Sequence, residues 1–195
     1  MIGQDESRLA TFIAARPALL LPLQALAALG LPDAWIGAGF LRNPVWDALS
    51  GFPPGHNPPG DVDVVWFDPA RASTGEDAAI EAALQARHPL PGPDWSVRNQ
   101  ARMAARNGDA PYRDTRDAVA HWPETATAIA ARWTPEGVEV LAPHGLSDLF
   151  GRVVRPTPGF AERRPAAFAA RLAAQDWTRR WPGVTITPMP DRSPP

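Results

Sequence analysis

The stretch GDVDVVWFDP, from Gly60 to Pro69, constrains the fold more than any other part of the chain. Val62, Val64, Val65, Trp66 and Phe67 favour a buried strand, yet Asp61 and Asp63 interrupt it, and aspartate is a residue that strands avoid. Side chains at i and i+2 of a strand project to the same side, so the two acids stand side by side. Adjacent carboxylates repel, and burying them is costly unless a cation meets them. Two readings follow. Either both acids face solvent or pair with Arg on a one-sided sheet, or they hold a hard divalent ion such as Mg²⁺. Such ions take oxygen ligands and commonly use one or two carboxylates together with substrate phosphates.

The rest of the chain alternates between helical and extended patterns, which predicts an α/β or α+β fold with a small mixed sheet flanked by helices. Residues Arg8 to Leu29 read as one or two packed helices ending at Gly30, and AWIGAGF (Ala34 to Phe40) as a strand running into a turn. LRNPVWDALSG reads as a helix, FPPGHNPPG as an exposed loop, and TGEDAAIEAALQARH as a helix with Thr74 at its N-cap. DWSVRNQARM alternates as a third strand, which would place Arg98, Gln100 and Arg102 together. DTRDAVAHWPETATAIAARW reads as mostly helical, with Thr125 and Thr127 on the helix surface. GVEVLAP reads as a strand, GLSDLF as a short helix, and FAERRPAAFAARLAAQDWTRRW as one long amphipathic helix. The expected organisation is a single domain over 1–187, with a core at about 34–150, a C-terminal helix at about 160–181, and a disordered Pro-rich tail at 188–195.

Composition narrows the chemistry. Of 195 residues 45 % are apolar, enough for a real core, and the net charge of −2 gives no pull toward nucleic acid or an acidic membrane. All 19 basic residues are Arg, so no lysine is present to form a Schiff base or clamp a phosphate. The chain has no cysteine, which excludes a disulfide frame, a thiolate nucleophile and a zinc-thiolate site. Asp5 and Glu6 stand where a secretory leader carries positive charge, and the apolar run Pro17 to Leu31 is broken by Pro22 and Gln24. It is also shorter than the roughly 20 residues of a membrane-spanning helix, and the expected location is the cytoplasm. The four histidines (His56, His88, His121, His144) show no metal-ligand spacing.

Upstream of the paired acids lies GAGFLRN. Gly37 and Gly39 let the backbone approach a ligand, and the helix that follows offers unpaired N–H groups to an anion. Read blandly, it is a tight turn. Joined to a strand bearing Asp-x-Asp, it places a phosphate cradle beside a metal site, the combination that phosphoryl or nucleotidyl transfer requires.

GAGFLRNPVWDALSG, DVDVVWFDP, WSVRNQARM, WPETATAIAARW and APHGLSDLFGRVVRPTP together resemble a bacterial family of nucleotidyltransferase-like proteins of unassigned substrate, within the polymerase-beta-like nucleotidyltransferase superfamily. The resemblance runs from about Ala34 to Trp181. It implies a glycine turn at the first site helix, matched by Gly37 and Gly39, and paired metal-binding acids on the next strand, matched by Asp61 and Asp63. Two positions depart from the superfamily pattern. Ala38 separates the glycines, and Ser96 stands where a third carboxylate is expected, two residues before Arg98; Asp94 shares the strand face and is the substitute candidate.

The expected activity is metal-dependent transfer of a nucleoside monophosphate from an NTP to a hydroxyl. Asp61, Asp63 and Asp94 are the catalytic candidates, and Asp61 and Asp63 the ligands of Mg²⁺ or Mn²⁺. Gly37, Gly39, Arg42, Asn43 and Arg98 are placed around the phosphates. The partners are the NTP and an acceptor of open class (small molecule, protein or RNA end), with no membrane and no strong nucleic-acid signature. The alternative is a nucleotide-binding or protein-interaction module on the same fold with weakened catalysis.

Overall fold

The computed structural model describes residues 3–187; the Pro-rich segment expected to be a disordered tail lies outside the described residues. Helices α1 (Gln4–Ala14) and α2 (Pro17–Ala27) lead into β1 (Trp35–Gly37), α3 (Gly39–Leu49) and β2 (Asp61–Trp66). Then come α4 (Thr74–Arg87), β3 (Asp94–Asn99), α5 (Met103–Asn107), α6 (Thr115–Ala120), β4 (Ala130–Thr134) and β5 (Gly137–Leu141). The chain closes with α7 (Ser147–Gly151), β6 (Val153–Val154), α8 (Pro158–Arg163), α9 (Pro165–Ala174), α10 (Trp177–Arg180) and β7 (Thr185–Ile186).

The main sheet has the order β3-β2-β1-β4-β5. It is mixed: β2 and β3 run parallel, as their connection through α4 demands, while the other neighbours are antiparallel. One face carries Ile36, Val62, Val64, Trp66, Trp95, Val97 and Ala131 into the main core, where Leu9, Ile13, Leu19, Leu23, Leu26, Leu41, Val45 and Trp46 meet them. The opposite face is covered only in part. A small cluster of Trp35, Val65, Val119, Ala128, Ala130 and Leu141 closes one end of it, and the Asp61 end stays open. The site therefore occupies the part of the sheet that the fold does not bury.

Four sequence expectations are corrected here. The third strand ends at Asn99, and Gln100 and Arg102 lie in a single 3-10 turn, so they do not share a strand face with Arg98. Of the stretch from Asp114 to Trp133 only Thr115–Ala120 is helical. Pro123 cannot continue a helix, and Ala130–Thr134 forms β4, whose backbone pairs with β1 and β5. The C-terminal segment is three short helices, because Pro165 starts a new helix and Asp176 separates α9 from α10. The α4 N-cap is Ser73, whose hydroxyl accepts from Glu76 N, with Thr74 one position inside.

No single helix among the described residues is long and apolar enough to cross a membrane. Helices α1 and α2 pass such a test only as a pair, bent by 95°, and their apolar faces (Leu9, Ile13, Leu19, Leu23, Leu26) are buried in the core.

Candidate active site

Strand register assembles the acids. Asp61 pairs with Asp94, Asp63 with Ser96 and Val65 with Arg98 across β2 and β3, and partners in a parallel pair share a face. Asp61, Asp63, Asp94 and Ser96 thus lie together at the open end. Asp61 and Asp94 are exposed, while Asp63 and Ser96 are half-buried. None of the three carboxylates makes a hydrogen bond or ion pair with the described residues. Burial pushes the Asp63 carboxyl up to about 6, and the neighbouring Asp61 charge adds to the effect. Arg171, Arg98 and Arg42 pull the other way without offsetting it. A carboxylate pair that is adjacent, reachable and short of positive charge suits a divalent cation. Three or more His, Asp or Glu side chains do not converge as a metal cage anywhere among the described residues. A metal here would therefore take the rest of its ligands from water and substrate.

The β1–α3 turn sits beside Asp63. Trp35 pairs with Val65 and Ile36 with Val64, which brings Gly37, the next residue, alongside Asp63. Gly37 is required by space: a Cβ there would lie 2.6 Å from the Ile129 carbonyl oxygen and 2.9 Å from the Trp122 ring. Gly39 is not, since its nearest contacts would start at 3.6 Å. The residue that needs glycine's backbone freedom is Ala38, which holds φ 56° and ψ −131°, a conformation that strains any side chain. The turn is fixed by a hydrogen bond from Ala38 N to Ile129 O at 3.1 Å. From it α3 departs with its first N–H groups at the site end.

Arg42 and Asn43, one turn into α3, are both buried. Arg42 Nη1 donates to Thr127 Oγ1 at 2.6 Å and Nη2 to Asn43 Oδ1 at 2.8 Å. Its guanidinium lies 4.4 Å from the Trp177 ring centroid, and its buried Nε has no partner among the described residues. With no carboxylate in contact, burial pulls the guanidinium down to about 9, so it is charged at neutral pH. Asn43 Nδ2 donates to Asn57 O at 3.1 Å and so anchors the Pro-rich loop that delivers Asp61. That loop is further held by Asp47, which accepts from Asn57 N at 3.0 Å and Nδ2 at 2.8 Å. Arg98 shares the face of the acids but is paired with Glu81 of α4 at 2.9 Å.

Sequence reasoning missed the segment Trp122–Thr127, where it found no chemistry. Thr125 and Thr127 are buried, and Thr125 Oγ1 donates to Asp148 Oδ2 at 2.6 Å. Glu124 is fully buried and paired with Arg171 of α9. Arg171 looks like any surface arginine of an amphipathic helix, so no local pattern could have revealed it. Only a Glu without a solvated neighbour pattern, directly after a proline, hinted that position 124 was unusual.

A nucleotidyltransferase family model matches residues 24–186, and the chain belongs to that family. A solution NMR structure identified as a CCA-adding enzyme head domain is 32 % identical, with a TM-score of 0.80 over 93 % of this chain and 95 % of that one. The Bacillus stearothermophilus CCA-adding enzyme in complex with CTP matches at 22 % identity and TM-score 0.52 over 89 % of this chain. The Thermotoga maritima CCA-adding enzyme complexed with tRNA matches at 17 % and 0.55 over 96 %. These last two share the fold, and the chain spans only 42 % and 43 % of their lengths. No curated protein matches the chain.

Proposed function

We propose that the protein is a metal-dependent nucleotidyltransferase that moves a nucleoside monophosphate from an NTP to a hydroxyl acceptor. The observation that carries this reading is the pair Asp61 and Asp63, unpaired on the open face of β2 beside the Gly37 turn, in a chain of a nucleotidyltransferase family. Asp61 and Asp63 would hold Mg²⁺ or Mn²⁺, which when bound neutralises phosphate charge and lowers the pKa of a coordinated oxygen. The first N–H groups of α3 and the Arg42 guanidinium supply the remaining positive potential. Asp94, in register with Asp61 at the solvent edge, would draw the acceptor proton. The acceptor oxygen forms its bond to the α-phosphorus as the bond to pyrophosphate breaks, and the proton leaves through that carboxylate to water.

Ser96 opposite Asp63 favours a second reading, a nucleotide-binding module with weakened turnover. A serine hydroxyl is neutral and adds neither charge for a metal nor a base. Titration calorimetry with ATP, in Mg²⁺ and in EDTA, together with pyrophosphate release, separates the two. For the transferase we expect Mg²⁺-dependent binding, lost at least tenfold in Asp63→Asn, and turnover that falls in Asp94→Asn. Ser96→Asp should tighten Mg²⁺. Binding without turnover in every variant supports the module. Equal ATP affinity in EDTA and Mg²⁺ overturns the metal site.

A further inference from the structure

The segment Trp122–Ile129 is fastened to the β1–α3 turn at both ends. The Trp122 ring underlies Gly37, and the Ile129 carbonyl accepts from Ala38 N at 3.1 Å. Between them the Glu124 carbonyl accepts from Thr127 N at 3.0 Å and Ala128 N at 2.8 Å, which makes a tight turn. That turn holds two guanidinium groups. Thr127 Oγ1 takes Nη1 of Arg42 at 2.6 Å, and the Glu124 carboxylate takes Nε and Nη2 of Arg171, the latter at 3.2 Å. Two cations from separate helices, α3 and α9, are therefore brought to one turn beside the paired acids.

The two members of the Glu124–Arg171 pair are not buried alike. The Glu124 side chain is 1 % exposed and that of Arg171 33 %. Pairing through Nε and Nη2 occupies one edge of a planar group with five N–H donors and leaves the Nη1 edge open. Arg171 Nη1 bonds to none of the described residues. Glu124 thus fixes the orientation of Arg171 while its other edge stays available to a second anion. The turn that holds Arg171 through Glu124 also holds Arg42 through Thr127, and the charge of Arg171 acts on both Asp63 and Arg42.

We infer that Arg171, oriented by Glu124, is a phosphate-binding residue that contacts the triphosphate chain of the nucleotide from the side opposite the β2 acids. This rests on the nucleotidyltransferase reading of Asp61 and Asp63. A metal-bound triphosphate stays anionic after the cation has met the two aspartates, and the chain has no lysine to meet the remainder. Arg171 and Arg42 meet it instead. Glu124 holds the Arg171 guanidinium through two bonds, while Asp61 and Asp63 bond to none of the described residues and remain free for metal.

The test is calorimetry with ATP and AMP in Mg²⁺ on four proteins: wild type, Asp63→Asn, Arg171→Gln, and the double variant Glu124→Gln/Arg171→Gln. The double variant replaces a buried ion pair by a neutral pair of similar shape and guards against loss of fold, which thermal unfolding checks. We expect ATP affinity to fall about tenfold in both Arg171 variants while AMP affinity holds, so that the ATP-to-AMP ratio collapses. A merely structural role would move both nucleotides alike. An unchanged ratio in the folded double variant, with binding lost in Asp63→Asn, overturns the role of Arg171 and leaves the active-site reading standing. Absence of ATP binding by the wild type overturns both.

Discussion

Strands β2 and β3 are flanked by two sets of acids with opposite fates, one on α4 and one on β2 itself. On the edge side, Asp77 and Glu81 of α4 each accept from a backbone N–H of β3 and pair with an arginine. Asp77 accepts from Trp66 Nε1 and Asn99 N, each at 3.0 Å, and pairs with Arg102. Glu81 accepts from Val97 N at 2.8 Å and pairs with Arg98 at 2.9 Å. These carboxylates cap the N–H groups that an edge strand would otherwise leave open. On the open face, Asp61 and Asp63 have no such donors, and Asp63 is held in a half-buried place where its charge is disfavoured. Carboxylates beside the same two strands are structural where donors meet them, and poised for a ligand where none of the described residues does.

The contrast predicts mutational effects of opposite sign. Asp77→Ala is the largest: it strands a buried indole N–H, a backbone N–H and a guanidinium, and should cost about 3–5 kcal/mol by denaturant unfolding. Should it cost under 1 kcal/mol, the two sets of acids do not differ as described.

Asp63→Asn comes next, and should stabilise the metal-free protein. The folded-state pKa of about 6 lies above the ordinary value of 3.8, so the folded chain binds more protons than the unfolded one between those values. Stability contributed at low pH is therefore lost as pH rises through that window. Asparagine removes the loss, worth roughly 1–3 kcal/mol at pH 7.5 and vanishing below about pH 4. Urea titrations of both proteins across pH 4–8 check it, and a pH-independent difference would contradict the assignment. Saturating Mg²⁺ should shrink or reverse the gap, because wild type alone gains the ligand.

Ala38→Gly is smaller. Relief of the backbone strain at φ 56° exceeds the added freedom of the unfolded chain, for a net gain of roughly 1 kcal/mol. Smallest is Asp94→Asn. Its carboxylate is exposed and unbonded, so stability should move by less than about 0.5 kcal/mol, and any effect should fall on turnover alone. A large stability change there would place Asp94 among the structural acids.

What the sequence determined was local. Period-two alternation in DVDVVW sets the two aspartates on one face whatever surrounds them, because successive strand side chains point oppositely. The glycine turn and the loop of four prolines were legible for the same reason, being written in backbone preferences. Helix boundaries and partners were not. WPETATAIAARW has the composition of a helix, yet Ala130–Thr134 becomes a strand because two neighbours offer it hydrogen bonds, and tertiary pairing outweighs propensity of a few tenths of a kcal/mol per residue. That Glu81 of α4 pairs with Arg98 was not legible either, since they meet only when α4 packs against β3. Arg171 lies 47 residues from Glu124 and further still from Asp63, and no spacing rule spans such distances. Charge in a protein acts through space, so which cation faces which carboxylate is decided only when the helices are packed.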